Sequence, residues 1–586
     1  MAKYDLDTIR HSTAHLMAQA ITELFPNETV QLGIGPTIEN GFYYDIEMTT
    51  KITDDHLVQI EEKMRDIIKR ALPITRHEVT RPEAIEYFKG MKQDLKCELI
   101  RDLPEGVAIT YYKQGDDFAD LCRGPHVMNT GHLPIHFKLL HTAGAYWRGD
   151  QTRPMLQRVY AASFEKKAEL EQYLSDVEEA KKRDHRKLGK ELELFIFDPV
   201  APASPFFMPK GALLYNGLVD FMRRIYNKYN YQEVITPQVL DVDLWHTSGH
   251  YEKYHENMFF TKVDDRDFAL KPMNCPCHML MFSHHRYSYR DLPLRFADFG
   301  RLHRYEKSGV VSGLTRVRTF CQDDAHIFIQ TEGIQEEIKT LMNMFFIGYE
   351  HFGFKKIKIG FSTRPEMRVG SDEVWDQAEA ALKAALDSSG RDYFINEGDG
   401  AFYGPKIDIQ VADALGRFFQ LGTIQLDFQL PDRFDLKFAN QNGEMERPVV
   451  IHRALLGSLE RFIGVYIEHV AGAFPFWLAP EQAVIIPVKN DIHLEHAKKL
   501  ERDLKIKGYR VRVDDRNESM GLKTRQAQTG KIPYMLVIGD KEMQTDSVSL
   551  RKYGEQKSEV FERSGLMDLF AEMDAEKVPA KLRDMI

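Results

Sequence analysis

The chain has 586 residues, with 78 Lys and Arg against 88 Asp and Glu, and its formal net charge is −10. At about 150 residues per domain, this length predicts roughly four domains. The content of 43% hydrophobic and 11% aromatic residues supports several packed cores and excludes a mainly disordered protein. No uninterrupted apolar run is long enough to span a bilayer, so we expect no membrane association. The acidity alone argues mildly against nucleic-acid binding.

The start of the chain and its cysteines favour a cytoplasmic protein. The first twenty residues lack the basic segment, the apolar segment and the cleavage site of a secretory signal. Five cysteines are too few for a disulfide framework, and Cys275 and Cys277 flank a proline beside His278. This usage is typical of a reducing compartment.

Residues 1–164 mix helical patterns with short β-rich segments. In RHSTAHLMAQA, His11 and His15 lie four residues apart and share one face of a predicted helix. Protease chemistry is excluded, because the zinc protease patterns require glutamate where Ser12 or Ala14 stands.

The segment DLCRGPH adds Asp120, Cys122 and His126 to the histidines of the first helix. By residue type, two histidines with a cysteine and a third histidine suit a tetrahedral zinc site. A structural metal site is therefore one interpretation of this set.

Residues 165–193 carry eight basic and nine acidic side chains of nearly alternating sign, with Leu170 and Leu174 four residues apart. This pattern is typical of a solvated helix. We predict a helical linker over 165–193.

Residues 194–476 form the largest predicted domain. After a proline-rich loop, one face of a helix is apolar. The residues of that face are Leu214, Leu218, Phe221 and Ile225. The strand-like segment YQEVITP ends at Pro237, since proline cannot donate to a strand ladder. The remaining β-rich segments show no regular βαβ period, which favours a mixed or antiparallel sheet.

Two segments of this domain suit phosphate binding. Residues 301–328 predict an antiparallel hairpin whose loop is bracketed by Arg304, Glu306, Arg316 and Arg318. Guanidinium groups bind phosphate oxygens through a planar fork of donors. A charged hairpin in water is the alternative.

The second segment is GSLERF. Gly457 and Arg461 are expected to share a helix face, so that the glycine admits a ligand and the arginine reaches its phosphate.

A proline-ended strand, an Arg-x-Glu hairpin and a Gly-x-x-x-Arg segment, in this order, resemble the three motifs of class II aminoacyl-tRNA synthetases. LKPMNCPCHM, RVRTFCQDDAHIF, GAFYGPKIDI, LGTIQLDF and PVVIHRALLGSLERFIG resemble the threonyl-tRNA synthetases in particular. The resemblance implies an α+β multidomain fold: an N-terminal α/β editing domain (1–164), the linker, a class II antiparallel sheet with helices (194–476) and a C-terminal α/β anticodon-binding domain (477–586). The implied activity joins L-threonine to tRNA(Thr) through a threonyl-adenylate made from ATP, and hydrolyses mischarged seryl-tRNA(Thr).

The resemblance implies one zinc ion per subunit, bound by Cys275, His326 and His452. Three protein ligands leave a position open, which the amino and hydroxyl groups of threonine complete in this family. Valine cannot supply the second ligand, whereas serine differs by a methyl group worth about 1–3 kcal/mol and therefore passes. Cys277, where the family usually has a small residue, and His278 are competing ligand candidates.

The resemblance also assigns the substrate contacts. ATP, with Mg²⁺, is assigned to Arg304, Glu306, Arg316, Phe320, Lys406, Gln420 and Arg461. Phe320 is expected to stack on adenine, and the three arginines are expected to be catalytic by stabilising charge at the reacting phosphate. Threonine is assigned to Met273, Gln322, Asp324, Tyr403 and Gln425, with Asp323 competing with its neighbour.

The editing pocket, which removes serine from mischarged tRNA, is assigned to His11, His15, Lys96, Asp120, Cys122 and His126. We interpret it as a pocket that orients the tRNA terminus and a water without a metal, and the structural metal site remains the alternative.

Residues 489–531 hold twelve basic and seven acidic side chains, and the surrounding segment resembles the anticodon-binding domain of this family. Asn517, Glu542 and Arg551 are candidate readers of splayed bases, with solvated surface as the alternative. The family's use of the proline-ended motif implies a homodimer. Only ten residues precede His11, so we expect a form without the small N-terminal β-grasp domain of many bacterial members.

Two rival functions are compatible with parts of this sequence. A class II ligase for serine, proline or alanine is disfavoured by the match at the three zinc ligands. A non-catalytic RNA-binding relative is disfavoured because it has no need of the three phosphate-reaching arginines.

Overall fold

The computed structural model describes residues 4–150 and 152–583. The chain divides into two units, one ending at Glu178 and the other beginning at Glu179. The N-terminal unit contains α1 (Leu6–Leu24), β1 (Gln31–Leu32), β2 (Thr37–Ile38), β3 (Gly41–Glu47), α2 (Asp54–Arg70), β4 (Ile74–Val79), α3 (Arg81–Gly90), α4 (Asp94–Asp102), β5 (Ile109–Gln114), β6 (Phe118–Leu121), β7 (Phe137–Tyr146), β8 (Met155–Ser163) and the start of α5 (Lys167–Arg183).

Two antiparallel sheets organise the N-terminal unit. One has the order β1-β3-β8-β7, with β2 paired to β3, and the other has the order β4-β5-β6. Helix α1 begins at an N-cap, where Asp5 accepts a hydrogen bond from the backbone N–H of Thr8. This bond satisfies one of the donors left unpaired at a helix start. Helix α1 contacts α2 and β3, and Leu16 and Met17 are fully buried in this core.

The predicted linker helix over 165–193 is wrong in its second half. Helix α5 is solvated as expected, since none of its residues is buried. A second helix, α6 (His185–Glu191), follows it. Leu188 and Leu192 pack in the main core of the C-terminal unit, because the residues after Asp184 place their apolar side chains against that core rather than in water.

The catalytic region of the C-terminal unit is built from α6 and a long series of further elements. The helices are α7 (Pro209–Lys228), α8 (Asp243–Ser248), α9 (His250–Tyr254), α10 (Cys275–Ser283), α11 (Ile334–His351), α12 (Asp372–Ser388), α13 (Gln429–Arg433) and α14 (Leu459–His469). The strands are β9 (Phe195–Phe197), β10 (Pro205–Phe207), β11 (Gln232–Glu233), β12 (Val239–Asp241), β13 (Phe259–Val263), β14 (Arg266–Leu270), β15 (Tyr287–Ser288), β16 (Leu294–Asp298), β17 (Arg301–His303), β18 (Thr319–Ile329), β19 (Ile357–Ser362), β20 (Phe394–Asn396), β21 (Lys406–Ala412), β22 (Phe418–Asp427), β23 (Phe438–Ala439), β24 (Met445–Glu446) and β25 (Val449–Ser458).

A nine-stranded sheet forms the centre of this region. Its order is β11-β16-β18-β25-β22-β21-β19-β20, with β17 paired to β18. The pairings are antiparallel except at the two edges, where β11 lies parallel to β16 and β20 parallel to β19. The predicted antiparallel or mixed sheet is confirmed. The apolar face of α7 is buried as predicted, whereas YQEVITP forms only the two-residue strand β11.

Gly457 does not lie on a helix face, which corrects the sequence prediction. It belongs to β25, and α14 begins after the N-cap Ser458. Its φ is +74°, and a Cβ atom there would lie 2.5 Å from the carbonyl oxygen of Leu421. Glycine is therefore required by the backbone conformation and by the neighbouring strand β22.

The C-terminal region forms a five-stranded sheet with helices. Its elements are β26 (Ala483–Pro487), α15 (Asn490–Ile506), β27 (Val511–Val513), α16 (Met520–Thr529), β28 (Tyr534–Ile538), α17 (Asp540–Thr545), β29 (Ser547–Lys552), β30 (Glu559–Glu562), α18 (Arg563–Ala575) and α19 (Ala580–Arg583). The order is β27-β26-β28-β29-β30, parallel over the first three strands and antiparallel over the rest. Among the described residues, no helix has the length and apolarity needed to cross a membrane.

Candidate functional site

A cavity of about 540 Å³ opens on the central sheet of the catalytic region. Its walls come from β18, β21, β22 and β25, from the start of α10 and from the segment between β17 and β18. The cavity brings together every residue that the resemblance assigned to ATP, threonine and zinc. These residues are Met273, Cys275, Arg304, Glu306, Arg316, Phe320, Gln322, Asp324, His326, Tyr403, Lys406, Gln420, Gln425, His452 and Arg461.

Strand register assembles a group of metal-ligand type at the floor of this cavity. His326 on β18 lies directly opposite His452 on β25, which in turn lies opposite Gln425 on β22. Cys275, at the first turn of α10, completes the group, and the ligand atoms of the three residues all lie within 4.8 Å of one another. All three are buried. A thiolate and two imidazoles are preferred zinc ligands, and three of them leave a coordination position open.

Each histidine of this triad has its second ring nitrogen occupied. His452 Nε2 lies 2.8 Å from Asp427 Oδ2, and His326 Nδ1 lies 2.8 Å from His278 Nδ1. Such outer contacts fix the ring orientation of metal-binding histidines. The residues therefore fit a zinc ion. His278 contacts the triad through His326, and Cys277 lies outside the group of candidate ligands.

Burial shifts the pKa values of two residues of the triad, Cys275 and His326. It raises the pKa of the Cys275 thiol well above its ordinary value, and it lowers the pKa of His326 well below its ordinary value. Metal binding at such a site displaces the thiol proton and finds the imidazole already neutral.

The two neighbouring aspartates of β18 have different environments. Asp324 lines the cavity and accepts a hydrogen bond from Asn274 Nδ2 (3.0 Å). Asp323 is fully buried, and its carboxylate accepts from the backbone N–H groups of Leu455 (2.8 Å) and Gly457 (2.9 Å). Burial raises the pKa of Asp323 to about 7, although the Arg453 guanidinium opposes the rise. Asp324 is therefore the one available to a ligand.

Tyr403 forms the wall beside the triad. Its ring stacks on His452 with centroids 4.9 Å apart, and its hydroxyl donates to Gln425 Oε1 (2.7 Å). This contact fixes two of the polar groups predicted to bind threonine.

The arginines at the other end of the cavity are held by the protein itself. Arg316 Nε donates to Glu306 Oε2 (3.0 Å), and Arg461 Nε donates to the Gln420 carbonyl (2.9 Å). These contacts pre-organise the guanidinium groups at the cavity wall.

Phe320 lies beneath a third arginine. The Arg304 guanidinium sits 5.0 Å from the centroid of the Phe320 ring. Arg304 therefore covers the ring that the resemblance assigns to adenine stacking. Nearby, Lys406 Nζ lies 3.1 Å from both Asp399 and Asp408.

His250 is a buried residue of this site that the sequence analysis missed. Its Nε2 lies 3.0 Å from Met273 Sδ and 3.7 Å from Cys275 Sγ, and its Nδ1 contacts the Ser248 hydroxyl. Burial, reinforced by His452, lowers the pKa of His250 to about 3. No local pattern marks this residue, because only the fold brings α9 next to α10.

The N-terminal unit contains a second polar cluster. His11 and His15 on α1 face Cys122 and His126, which follow β6, and the ligand atoms of the four lie within 4.8 Å of one another. Cys122 Sγ lies 3.0 Å from His126 Nε2, and the Ser12 hydroxyl lies 2.9 Å from His126 Nδ1. By distance and residue type, this set also suits a metal ion.

A buried ion pair lies beneath this cluster. Lys96 Nζ is 2.5 Å from Asp120 Oδ1 and donates to the Gly33 carbonyl (2.7 Å). The Tyr44 hydroxyl donates to Asp120 Oδ2, and His15 Nε2 is 3.4 Å from the same oxygen. The neutralised carboxylate thus orients one histidine of the cluster. Tyr44 was missed by the sequence analysis because a tyrosine in a strand is ordinarily a core residue.

The cluster is electrically neutral at neutral pH. Burial and the nearby Asp120 raise the pKa of Cys122 to about 12. Burial and the neighbouring His15 lower the pKa of His126 well below its ordinary value. A neutral imidazole and a protonated thiol are suited to hydrogen bonding with a substrate.

The three residues predicted to read the anticodon do not form a cluster. Glu542 accepts from the backbone N–H of Gly539 at the start of α17 (3.1 Å), and Arg551 donates to the Glu555 carbonyl (2.6 Å). Asn517 lies in the segment between β27 and α16. Within the described ranges, no side-chain contact joins these three residues.

Comparison with known proteins agrees with this arrangement. Residues 259–470 match the tRNA synthetase class II core domain (G, H, P, S and T), residues 482–573 match an anticodon binding domain, and residues 109–160 match the threonyl and alanyl tRNA synthetase second additional domain. The threonine–tRNA ligase of Bdellovibrio bacteriovorus is 54% identical over 93% of this chain and 83% of its own length. The chain belongs to the threonyl-tRNA synthetase family.

Two further relatives support this membership. The threonine–tRNA ligase of Acetivibrio thermocellus is 52% identical over 93% of this chain and 85% of its own length. A crystal structure of the RNA-binding domain of threonyl-tRNA synthetase from Cryptosporidium parvum is 49% identical in sequence and has a TM-score of 0.65. The match covers 67% of this chain and 98% of the Cryptosporidium chain. The class II core and the second additional domain of the synthetase family support aminoacylation and editing.

The buried Lys96–Asp120 pair predicts a large loss of stability when one partner is removed. Lys96→Met leaves Asp120 buried without its counter-charge, which costs about 3–5 kcal/mol. Native-state hydrogen exchange of the β3 and β6 amides measures this loss as a lower free energy of opening.

The matched control is Arg76→Met, which removes an exposed pair with Glu78 worth about 0–1 kcal/mol. Lys96→Met with Asp120→Asn should recover much of the lost stability. Equal effects of Lys96→Met and Arg76→Met would contradict this account.

Proposed function

We propose that this chain is a threonine–tRNA ligase that activates L-threonine with ATP, transfers it to tRNA(Thr) and clears mischarged seryl-tRNA(Thr) in its N-terminal unit. The observation that supports it most is the single cavity that joins the buried triad of Cys275, His326 and His452 to a wall of arginines. One end suits a small amine with a hydroxyl group, and the other suits a triphosphate.

At the phosphate end, Arg304, Arg316 and Arg461 bind ATP together with Mg²⁺. The threonine carboxylate attacks the α-phosphate, and pyrophosphate leaves from the opposite side. Negative charge accumulates on the phosphate oxygens during this step, and guanidinium groups already held in place stabilise it without reorganisation. The carboxylate of Glu306 keeps Arg316 oriented.

At the amino-acid end, Cys275, His326 and His452 would hold one zinc ion per chain. When bound, zinc supplies a Lewis acid with an open position for the amino and hydroxyl groups of the substrate. Asp324, Tyr403 and Gln425 complete the polar wall. A site built for a hydroxyl rejects valine, but it discriminates against serine only through a methyl group, by about 1–3 kcal/mol.

Because serine passes this site, a second, hydrolytic site is needed. We assign it to the cluster of the N-terminal unit. The neutral His11 and His126 and the protonated Cys122 orient the seryl ester and a water. His15, which Asp120 and Lys96 hold in place, serves as the acid–base group. This role needs no metal. Cys275→Ser protein, which lacks a ligand of the catalytic site, should therefore contain no zinc.

Two further regions of the chain are proposed to bind macromolecular partners. Asn517, Glu542 and Arg551 are proposed to read the anticodon from the C-terminal region. A homodimer is proposed through the segment before Pro237, where Ile235 is 91% exposed and offers an apolar contact. None of the five cysteines, all of which lie among the described residues, takes part in a disulfide, which supports residence in the reducing cytoplasm.

The activity predicts threonine-dependent exchange of pyrophosphate into ATP, abolished by a zinc chelator and restored by zinc. Cys275→Ser should lose both bound zinc and exchange, because it removes the thiolate ligand. Cys277→Ser is the matched control and should keep both. Zinc content by elemental analysis and the exchange rate are measured on the same samples.

Exchange with proline, serine or alanine but not threonine would contradict the substrate assignment. No exchange with any amino acid in zinc-replete protein would favour the non-catalytic RNA-binding alternative.

The editing assignment predicts that His15→Ala accumulates seryl-tRNA(Thr) when serine replaces threonine, while threonine-dependent exchange is unchanged. Loss of an oriented acid–base group costs about 10²–10⁴-fold in hydrolysis. The measurement is deacylation of purified seryl-tRNA. His132→Ala, an exposed histidine of the same unit, is the control, and undiminished clearance by His15→Ala would remove that residue from the site.

A further inference from the structure

A buried histidine outside the described sites connects the start of α6 to the loop that carries Arg316. His185, the first residue of α6, is 4% exposed. Its Nδ1 lies 2.7 Å from Glu468 Oε1 at the end of α14. Its Nε2 accepts a hydrogen bond of 3.0 Å from the backbone N–H of Leu314. The imidazole therefore bridges two elements that bound the ATP end of the cavity.

These contacts define one tautomer of the imidazole. A backbone N–H can only donate, so Nε2 must present its lone pair, and the proton must reside on Nδ1, where Glu468 accepts it. Glu468 is fixed in turn, since Oε1 also accepts from the backbone N–H of His185 (3.1 Å) and Oε2 accepts from Arg417 (2.6 Å). Every hydrogen-bonding atom of the imidazole is therefore used inside the protein.

The loop is shaped to meet this imidazole. Gly313 has φ +46°, and a Cβ atom there would lie 2.2 Å from His185 Nε2. On α14, a Cβ atom at Gly464 would lie 3.2 Å from Leu314 Cβ. Two glycines thus permit the close approach of loop, imidazole and helix that the Leu314 bond requires.

The loop segment anchored by His185 contains Arg316 and contacts Arg461, two of the arginines proposed to bind phosphate. The carbonyl of Thr315, directly after Leu314, accepts from Arg461 Nη1 (3.2 Å), and Arg316 is the next residue. Arg461 and Glu468 both lie on α14. Helix and loop are therefore joined twice, once through Arg461 and Thr315 and once through His185.

The group Asp184, His185 and Glu468 also has residue types that bind metals. The hydrogen bonds disfavour a metal there, because the Leu314 N–H already occupies His185 Nε2 and the Arg417 guanidinium neutralises the Glu468 carboxylate. Asp184 is engaged with Arg186. The group is a hydrogen-bonded anchor.

We propose that His185 is a positioning residue for ATP: through Leu314 it fixes the loop so that Arg316 and Arg461 are oriented for the triphosphate. This inference rests on the proposed function, since it concerns the ATP end of the same cavity. It assigns His185 no contact with either substrate. Loss of the Leu314 bond should therefore weaken ATP binding and leave threonine binding unaffected.

Two substitutions separate the two hydrogen bonds of the imidazole. His185→Asn places an amide near the Nδ1 position, which keeps a donor for Glu468 and removes the acceptor for Leu314. His185→Gln places a carbonyl oxygen near the Nε2 position and keeps that acceptor. In threonine-dependent exchange, we expect His185→Asn to raise the KM for ATP about tenfold, the size of one buried hydrogen bond. The KM for threonine should stay unchanged, and His185→Gln should stay close to the unaltered chain.

A merely structural role would lower kcat or thermal stability in both variants without separating the two KM values, and that result would overturn the inference. An unchanged KM for ATP in His185→Asn would also overturn it. Gly313→Ala is the second variant, for the case that His185→Asn does not fold. It displaces the loop from an intact imidazole and should raise the KM for ATP in the same way.

Absence of exchange in the unaltered chain would refute the proposed function alone. The inference is then tested by calorimetric titration with ATP. A weaker affinity in His185→Asn than in His185→Gln supports it, and equal affinities overturn it.

Discussion

The antiparallel register of β18 and β25 is the constraint on which the catalytic region depends. A β-bulge between Gln322 and Asp324 shifts this register. At the bulge, the Asp323 carboxylate accepts hydrogen bonds from two backbone N–H groups of β25, those of Leu455 and Gly457. Arg453 compensates the buried charge (3.4 Å). Beyond the bulge, the alternation of side chains turns Asp324 and His326 to the cavity. A one-residue slip would reverse these faces and separate the two histidines from Cys275.

The local patterns of the sequence predicted part of this architecture. The apolar face of α7, the hairpin of β17 and β18, and the antiparallel sheet all follow from periodicity and from turn residues. The cavity residues followed from the resemblance, since Cys275, His326 and His452 are too far apart along the chain for spacing to connect them. Gly457 was placed wrongly because four-residue spacing suits a helix, whereas the left-handed backbone there ends a strand.

His185, His250 and Tyr44 lay beyond sequence reasoning for a common reason. Each acquires its role from a partner distant in the chain: Leu314 and Glu468 for His185, Cys275 for His250, and Asp120 for Tyr44. The charge pattern of residues 165–193 describes α5 well. It conceals α6, because that charged helix is attached to the core by only three buried residues, His185, Leu188 and Gly189. The net charge of the whole chain is also a poor predictor of nucleic-acid binding. The total of −10 disfavoured nucleic acid, yet phosphate contacts depend on local basic surface such as that of residues 489–531.

In the proposed function, amino-acid selection depends on one zinc-bound thiolate and two zinc-bound imidazoles, with His278 and Cys277 outside the coordination shell. X-ray absorption at the zinc edge of the zinc-loaded chain tests this claim most directly. The predicted spectrum has one sulfur neighbour at about 2.3 Å and two imidazole nitrogens at about 2.0–2.1 Å, with lighter atoms at the open position. Two sulfur neighbours, or a shell of oxygen atoms alone, would contradict it.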